Sequence, residues 1–170
     1  RYMSITSGAW LENFSNFNAK DAWIDAPFTD VLTNFYPNWI FLRDLTNEDG
    51  VFYAWAKILR VATMQRLTDM YGPIPYSKMA TGLSQTPYDS QEDVYRRMFV
   101  DLDSAIVEIS KYTLANPGEK IDDDGLDRVY SGDMVKWLKF ANSLKLRMAM
   151  RIVYADEALA KEMAESAVND

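Results

Sequence analysis

The side chains that could do chemistry in this chain are carboxylates, lysines, hydroxyls and phenols, because its 170 residues include no histidine and no cysteine. A His-dependent catalytic triad, a cysteine nucleophile and a zinc site of the usual Cys/His type are therefore excluded. Any catalysis would have to rest on carboxylates, Lys, Ser or Thr, or Tyr, and 25 Asp and Glu residues are available for a paired-carboxylate site. No spacing among them marks a pair, so we do not expect a catalytic dyad.

The densest acidic cluster is the run from Asp122 to Asp127, which has the oxygen-rich character of a calcium loop. The D-x-D-x-D-G pattern ending on Gly125 would need an acid at position 120, where this chain has Lys120. The spacing therefore favours a solvated acidic loop over a cation site. The glycine patterns of phosphate-binding loops are also missing from the sequence, so we predict no metal ion and no cofactor.

Aromatic side chains are the most suggestive pointer to a ligand. The chain contains 5 Trp, 10 Tyr and 8 Phe residues, and rings beside polar groups suit sugars as well as protein interfaces. Trp55 and Trp137 fall on helical stripes, which predicts core positions. The other tryptophans, Trp10, Trp23 and Trp39, lie where periodicity is weak and Asn and Asp are close by. Packing beneath a loop is slightly favoured over ligand contact for these three, and they are the candidate ligand-binding residues.

The overall composition is that of a globular protein. A length of 170 residues suits one domain, and the apolar and charged fractions of 48% and 25% are ordinary. A net charge of −7 without a basic block argues against nucleic-acid binding. No apolar run approaches the ~20 residues of a membrane span, and no signal peptide is visible. Because the sequence starts at Arg1 and a helical pattern is cut at Asp170, we interpret it as a piece of a longer chain.

Apolar residues spaced three and four apart predict four main helices. Their expected ranges are about 51–71, 88–113, 133–154 and 156 to the end. Gly72 should end the first helix, and Asp89 with Glu92 should form a capping box for the second. A short helix is expected after Pro37, whereas the residues before it show no sustained period. No strand pattern of alternating Val, Ile and Thr occurs, so the predicted fold class is all-α.

Three ordered segments resemble the SusD/RagB-type nutrient-binding lipoproteins. The first is LTDMYGPIPYS at 67–77, and the second is PYDSQEDVY at 87–95, followed by DLDSAI at 101–106. The third combines DRVYSGD at 127–133 with WLKFANSLKLRMAMR at 137–151. The order and spacing of these motifs are consistent across the greater part of the chain. Before them, the sequence resembles the family only in being rich in Trp and Asn.

The resemblance implies a fold of tetratricopeptide-like helical pairs in a right-handed superhelix, with long irregular loops. It implies a single helical domain over 1–170, the N-terminal part of a longer protein. Such proteins are exposed at the surface of the outer membrane of Gram-negative bacteria, attached by a lipid anchor that this sequence does not contain. They bind glycans, or peptides in some members, and deliver them to a TonB-dependent SusC-type transporter without catalysis. The matched motifs describe helix ends and packing, so they assign no ligand contact.

Two other functions remain open from the residues alone. One is a tetratricopeptide-like scaffold whose concave face binds a protein or peptide. The other is a carboxylate-dependent glycoside hydrolase of helical-hairpin architecture. A soluble protein partner would favour the first, and turnover of an oligosaccharide would favour the second.

Overall fold

Six α-helices make up most of the computed structural model, which describes residues 20–79, 85–122 and 125–169. They are α1 Asp21–Asp30, α2 Tyr36–Thr46, α3 Gly50–Tyr71, α4 Gln91–Ala115, α5 Met134–Arg151 and α6 Glu157–Asn169. Val31–Phe35 forms a π-helical turn between α1 and α2. The described residues contain no strand, only isolated bridges that pair Ile74 with Asp89 and Lys120 with Asp133. The all-α prediction is confirmed.

The chain divides into two compact units, Arg1–Asn38 and Trp39–Asp170. The described part of the first unit is helical from Asp21 onward, although the sequence showed no sustained period there. The sequence pattern is weak there because α1 has no buried residue and hence no buried apolar stripe to detect. The helix expected after Pro37 exists and begins one residue before that proline, at Tyr36.

Helix α3 agrees with its prediction at both ends. Its buried residues, among them Ile58, Val61 and Met64, lie on a wide arc, so the helix packs on more than one side. The chain leaves the helix at Gly72, where φ is 74° and a side chain would be strained. The N–H of Gly72 donates to the carbonyl of Thr68 at 2.8 Å, which satisfies one of the terminal acceptors.

Helix α4 begins on a different cap from the one predicted. Ser90 is the N-cap, and its Oγ accepts a hydrogen bond from the Asp93 N–H at 3.1 Å. Asp89 instead reaches back along the chain, where its Oδ2 accepts from the N–H groups of Tyr76 at 3.0 Å and Ser77 at 2.7 Å. The capping-box prediction was wrong because the Asp89 carboxylate binds the backbone of the segment that follows α3. A local sequence pattern does not reveal this contact.

Hydrogen bonds between α3 and α4 show the relative direction of these two helices. Lys57 donates to Ser104 at 2.9 Å, and Gln91 donates to the carbonyl of Thr68 at 2.8 Å. The earlier residue of α3 thus contacts the later residue of α4, and the later residue of α3 contacts the start of α4. The two helices are therefore antiparallel and form a hairpin. Helices α5 and α6 form the next hairpin, and α5 packs against both α3 and α4. Two stacked helical pairs are consistent with the tetratricopeptide-like arrangement.

The described residues include three buried charged side chains, those of Arg60, Asp127 and Lys145, and Lys145 connects the two hairpins. Lys145 on α5 is 2% exposed, and its Nζ lies 2.6 Å from Asp103 on α4 and 2.6 Å from Ser166 on α6. The buried side chain thus joins α4, α5 and α6 through an ion pair and a hydrogen bond.

Candidate functional site

A cleft of about 580 Å³ lies where the ends of four helices meet. Because neighbouring helices are antiparallel, the C-terminal ends of α3 and α5 and the N-terminal ends of α4 and α6 converge there. The lining residues are Asp69, Gln91, Glu92, Tyr95, Arg96, Arg151, Ile152, Ala155, Asp156 and Leu159. Most of these side chains are polar, so helix ends from both hairpins bring hydrogen-bonding groups to one place.

Asp69 is the most heavily engaged carboxylate of the cleft. It accepts hydrogen bonds from the Tyr95 hydroxyl at 2.6 Å and from Gln65 Nε2 at 2.5 Å. Its Oδ2 also lies 2.8 Å from Nε of Arg151. Asp69 belongs to the first motif of the family resemblance and Arg151 ends the third. The structure therefore explains why residues so far apart in sequence occur together: they form one hydrogen-bonded group.

The protonation of Tyr95 follows from its surroundings. Burial and the bond to Asp69 raise the pKa of Tyr95 to about 12, because both disfavour the phenolate. The hydrogen bonds to Asp69 in turn raise the pKa of Arg151 above its ordinary value. At neutral pH the phenol is thus a neutral donor and the guanidinium is a cation.

A second ion pair closes the opposite side of the cleft. Nη2 of Arg96 lies 2.7 Å from Asp156 and 3.0 Å from Glu92. Asp156 also accepts a hydrogen bond from the N–H of Leu159 at 3.0 Å, which caps α6 as the sequence predicted. The Leu159 bond and Arg96 together keep the pKa of Asp156 below its usual range. These groups are largely solvent-exposed, so they contribute little to stability and remain available for a ligand.

The arrangement suits binding better than proton transfer. A general acid or base needs a pKa near the working pH, whereas the pKa of Tyr95 is raised to about 12 and that of Asp156 is lowered. Asp69 is held by three donors. Among the described residues, no group of three or more Asp and Glu side chains is placed to hold a metal ion.

The acidic loop after α4 contains a buried carboxylate, Asp127, which is 6% exposed. Its Oδ2 accepts from the indole N–H of Trp137 at 2.7 Å and from the N–H of Gly132 at 2.9 Å. Its Oδ1 accepts from the N–H groups of Val129 and Tyr130 at 2.9 and 3.2 Å. Burial raises the pKa of Asp127, but these bonds outweigh it and the net shift is downward.

The prediction of a solvated acidic loop is therefore wrong for Asp127. Asp122 is also engaged, since it accepts from the N–H groups of Leu126 and Asp127 at 3.0 and 2.6 Å. These two carboxylates organise the loop that leads into α5, so the acids have a structural role within the chain. The fixed spacing of Asp127 and Trp137 in the third motif was the signal for this pairing.

The three candidate tryptophans have different environments. Trp10 lies outside the described residues. Trp23 is half-buried on α1, in the first unit. Trp39, in the second unit, is 7% exposed, with the Arg60 guanidinium 4.5 Å from its ring centroid and the Tyr53 ring 6.3 Å away. Trp39 is not part of the cleft lining. Ligand contact by the three tryptophans stays a prediction.

Trp55 and Trp137, both predicted to lie in the core, differ in how deeply they are buried. Trp137 is 3% exposed and packs against the rings of Trp55, Tyr130 and Phe140, with centroid distances of 5.4, 5.1 and 5.4 Å. Trp55 is half-buried. The excess of aromatic residues is thus partly explained by one packed cluster at the start of α5.

Comparison with known proteins identifies the family of the chain. A family model described as "SusD-like: Susd and RagB outer membrane lipoprotein" matches residues 1–170. The chain belongs to the SusD-like family. Its members are described as outer membrane lipoproteins, and among the described helices of this SusD-like chain none is long and apolar enough to cross a membrane. A comparison with curated proteins finds no match.

Several solved SusD-like structures are similar to this one. A SusD-like protein from Bacteroides thetaiotaomicron is 38% identical with a TM-score of 0.84, over 91% of this chain and 32% of the other. A SusD homolog from Bacteroides uniformis is 42% identical with a TM-score of 0.83, over 95% and 33%. A chitin-binding SusD homolog from Flavobacterium johnsoniae is 42% identical with a TM-score of 0.66, over 78% and 28%. The chain thus spans about a third of the length of these relatives.

Proposed function

We propose that this SusD-like chain is part of a non-catalytic protein at the cell surface that binds glycans and delivers them to a TonB-dependent SusC-type transporter. The observation that carries the proposal is the 42% identity to a SusD homolog described as chitin-binding. At this identity the chain shares the helical scaffold of a protein that binds a polysaccharide. The family description as outer membrane lipoproteins supports the location.

The physical character of the described residues supports binding over turnover. The charged groups of the cleft are paired, Arg151 with Asp69 and Arg96 with Asp156 and Glu92, and none of the pKa shifts given above brings a group close to neutral pH. Glycoside hydrolysis requires one carboxyl group that stays protonated as an acid beside one that is ionised. The lowered pKa values of Asp89, Asp127 and Asp156 run against that requirement at these three positions.

Calorimetric titration of the full-length protein tests the glycan. The panel contains chito-oligosaccharides, other oligosaccharides of matched length and peptides. Saturable heat with at least one oligosaccharide, without cleavage products by mass spectrometry, is the expected result. Binding of peptides alone would overturn the glycan assignment and favour the peptide-binding scaffold. Cleavage products that disappear in an Asp or Glu variant would overturn the non-catalytic assignment.

Tryptophan variants test the ligand contacts. If a ring stacks on the sugar, Trp10→Ala and Trp23→Ala each weaken binding by about 3- to 10-fold, the range of an aromatic contact. Trp39 also packs in the core, so Trp39→Phe is the informative change because it retains a ring beside Arg60. Phe41→Ala is the matched control, since that ring is 67% exposed and is not a candidate. Unchanged affinity in all three tryptophan variants would remove these residues from the site.

Copurification tests the partner. The tagged full-length protein is extracted from outer membranes in mild detergent, and a SusC-type transporter is expected in the eluate in a stable ratio. An eluate that contains a soluble protein partner and no transporter would contradict the delivery step while leaving glycan binding intact.

A further inference from the structure

We infer that the cleft at the ends of α3, α4, α5 and α6 is a subsite for a neutral, hydroxyl-rich ligand of monosaccharide to disaccharide size. The inference rests on the proposed function for its choice of saccharides as the ligand class. Its volume of about 580 Å³ falls within the range of small-molecule sites. The cleft lies entirely within the second compact unit, so all of its walls come from one packed body.

Charge selects against ionic ligands. The lining contains two guanidinium groups, those of Arg96 and Arg151, and three carboxylates, those of Asp69, Glu92 and Asp156. Each guanidinium group is already paired with a carboxylate, at 2.8 Å for Arg151 and Asp69 and at 2.7 Å for Arg96 and Asp156, so an ionic ligand would have to compete with an existing ion pair. A neutral ligand can add hydrogen bonds without displacing one.

Hydrogen-bonding capacity selects for hydroxyl groups. The side chains of Arg151 and Arg96 are 55% and 47% exposed, and that of Glu92 is 73% exposed. Arg151 uses Nε toward Asp69, and its guanidinium group has four further N–H donors. Gln91 donates its amide to the carbonyl of Thr68, which leaves its amide oxygen as an acceptor. A hydroxyl group both donates and accepts hydrogen bonds. A sugar ring carries several hydroxyl groups, so it can bond to donors and acceptors of the cleft lining at the same time.

The remaining wall is apolar, formed by Ile152, Ala155 and Leu159. It matches the C–H face of a sugar ring, which is the part of the ligand that gains from leaving water. The one aromatic residue in the lining, Tyr95, is 5% exposed, so its ring offers no stacking surface. The subsite is therefore expected to bind more weakly than an aromatic platform, and to work beside the main glycan site rather than replace it.

Filling the cleft is the cleanest test. Ala155 lies in the exposed turn between α5 and α6 and lines the cleft, so Ala155→Phe occupies the space without removing a hydrogen bond. Ala158→Phe is the matched control, because Ala158 is exposed on α6 and outside the lining. Arg151→Gln provides a second route, since a hydrogen bond to a charged donor is worth about 10- to 100-fold in affinity. Helical content by circular dichroism verifies folding.

The readout is a saturation-transfer NMR titration of the full-length protein with N-acetylglucosamine, methyl glucoside and methyl galactoside. We expect saturable signals that Ala155→Phe abolishes, that Arg151→Gln weakens by at least about 10-fold and that Ala158→Phe preserves. Signals that do not saturate, or that survive Ala155→Phe, overturn the subsite. If oligosaccharide binding persists while these monosaccharide signals are absent, the subsite fails and the proposed function stands. If monosaccharides fill the cleft but no oligosaccharide binds, the proposed function fails instead.

Discussion

Replacing Asp127 should destabilise the protein more than any exposed acid can. Among the four donors that this carboxylate accepts from, the Trp137 indole and the Gly132 N–H are buried. Leaving a buried donor without an acceptor costs ~1–3 kcal/mol. Two such donors give an expected loss of about 4 kcal/mol in the free energy of unfolding for Asp127→Ala. The Val129 and Tyr130 amides can be hydrated, so we assign them no further cost.

The conservative variant separates charge from shape. Asp127→Asn retains one oxygen acceptor but presents an amide group to the remaining donors, so a loss of about 2 kcal/mol is expected. The folded state lowers the pKa of Asp127, so its ionised form contributes stability above the unfolded-state pKa of about 3.9. That contribution is lost as the pH falls through the lower folded-state value. The difference between Asp127→Asn and the parent should therefore be constant at neutral pH and shrink in acid.

Urea unfolding of the full-length protein, followed by tryptophan fluorescence, measures both variants. Trp137 reports directly, because its indole N–H is bonded to the carboxylate. Glu119→Ala, an exposed acid before the same loop, is the control and should change the free energy of unfolding by less than about 0.5 kcal/mol. A loss below about 1 kcal/mol for Asp127→Ala would refute the view that this carboxylate organises the loop.

Substitutions at three further positions give testable predictions. Gly132→Ala should cost more than about 2 kcal/mol in urea unfolding, because φ is 73° and the new Cβ would lie 2.5 Å from the backbone N of Asp122. Lys145→Ala should lower the free energy of unfolding by about 2–4 kcal/mol, because it leaves a cavity. Lys145→Met fills that space and should cost under about 1.5 kcal/mol. The Asp103 carboxylate that loses its partner is 44% exposed and can be hydrated. In an ultraviolet titration, one tyrosine should ionise near pH 12, and this transition should be lost in Tyr95→Phe.

Each of these substitutions is compared with a control variant. Gly118→Ala shares the positive φ, at 78°, but its Cβ would meet nothing within 4 Å; an equal loss at both glycines would rule out the close approach. Lys111→Met, at an exposed lysine, is the control for Lys145→Met. If Lys145→Met lowers the free energy of unfolding as much as Lys145→Ala does, the charge itself is needed. Tyr154→Phe removes a fully exposed phenol, 101% by relative area, and should leave the high-pH transition unchanged.

The sequence located the helices of the second unit well because their apolar stripes are long. The α3 prediction of 51–71 differs from Gly50–Tyr71 by one residue. For α5 the expected end near Tyr154 was three residues late, since the helix ends at Arg151 and a turn follows. Helix α1 was missed because nothing on it is buried. Periodicity reports burial, so a helix without a buried face leaves no periodic signal.

Residue types alone determined which side chains these 170 residues lack and which family they resemble. The sequence contains no histidine and no cysteine, and the three motifs were sufficient for the SusD-like assignment that the family comparison supports. The Gly72-Pro73 pair also predicted the end of α3, because a glycine C-cap and the proline after it act over a few neighbouring residues.

Only the tertiary structure decided what the polar residues do. Asp69 and Arg151 are 2.8 Å apart although 82 positions separate them. Lys145 is buried among three helices, and Asp127 has buried partners where the sequence predicted a solvated acidic loop. The partner of a charge is set by which helix faces pack together, a property of the whole chain that local spacing does not encode. The cleft exists for the same reason, since it is formed by four helix ends that meet only after both hairpins have folded and stacked.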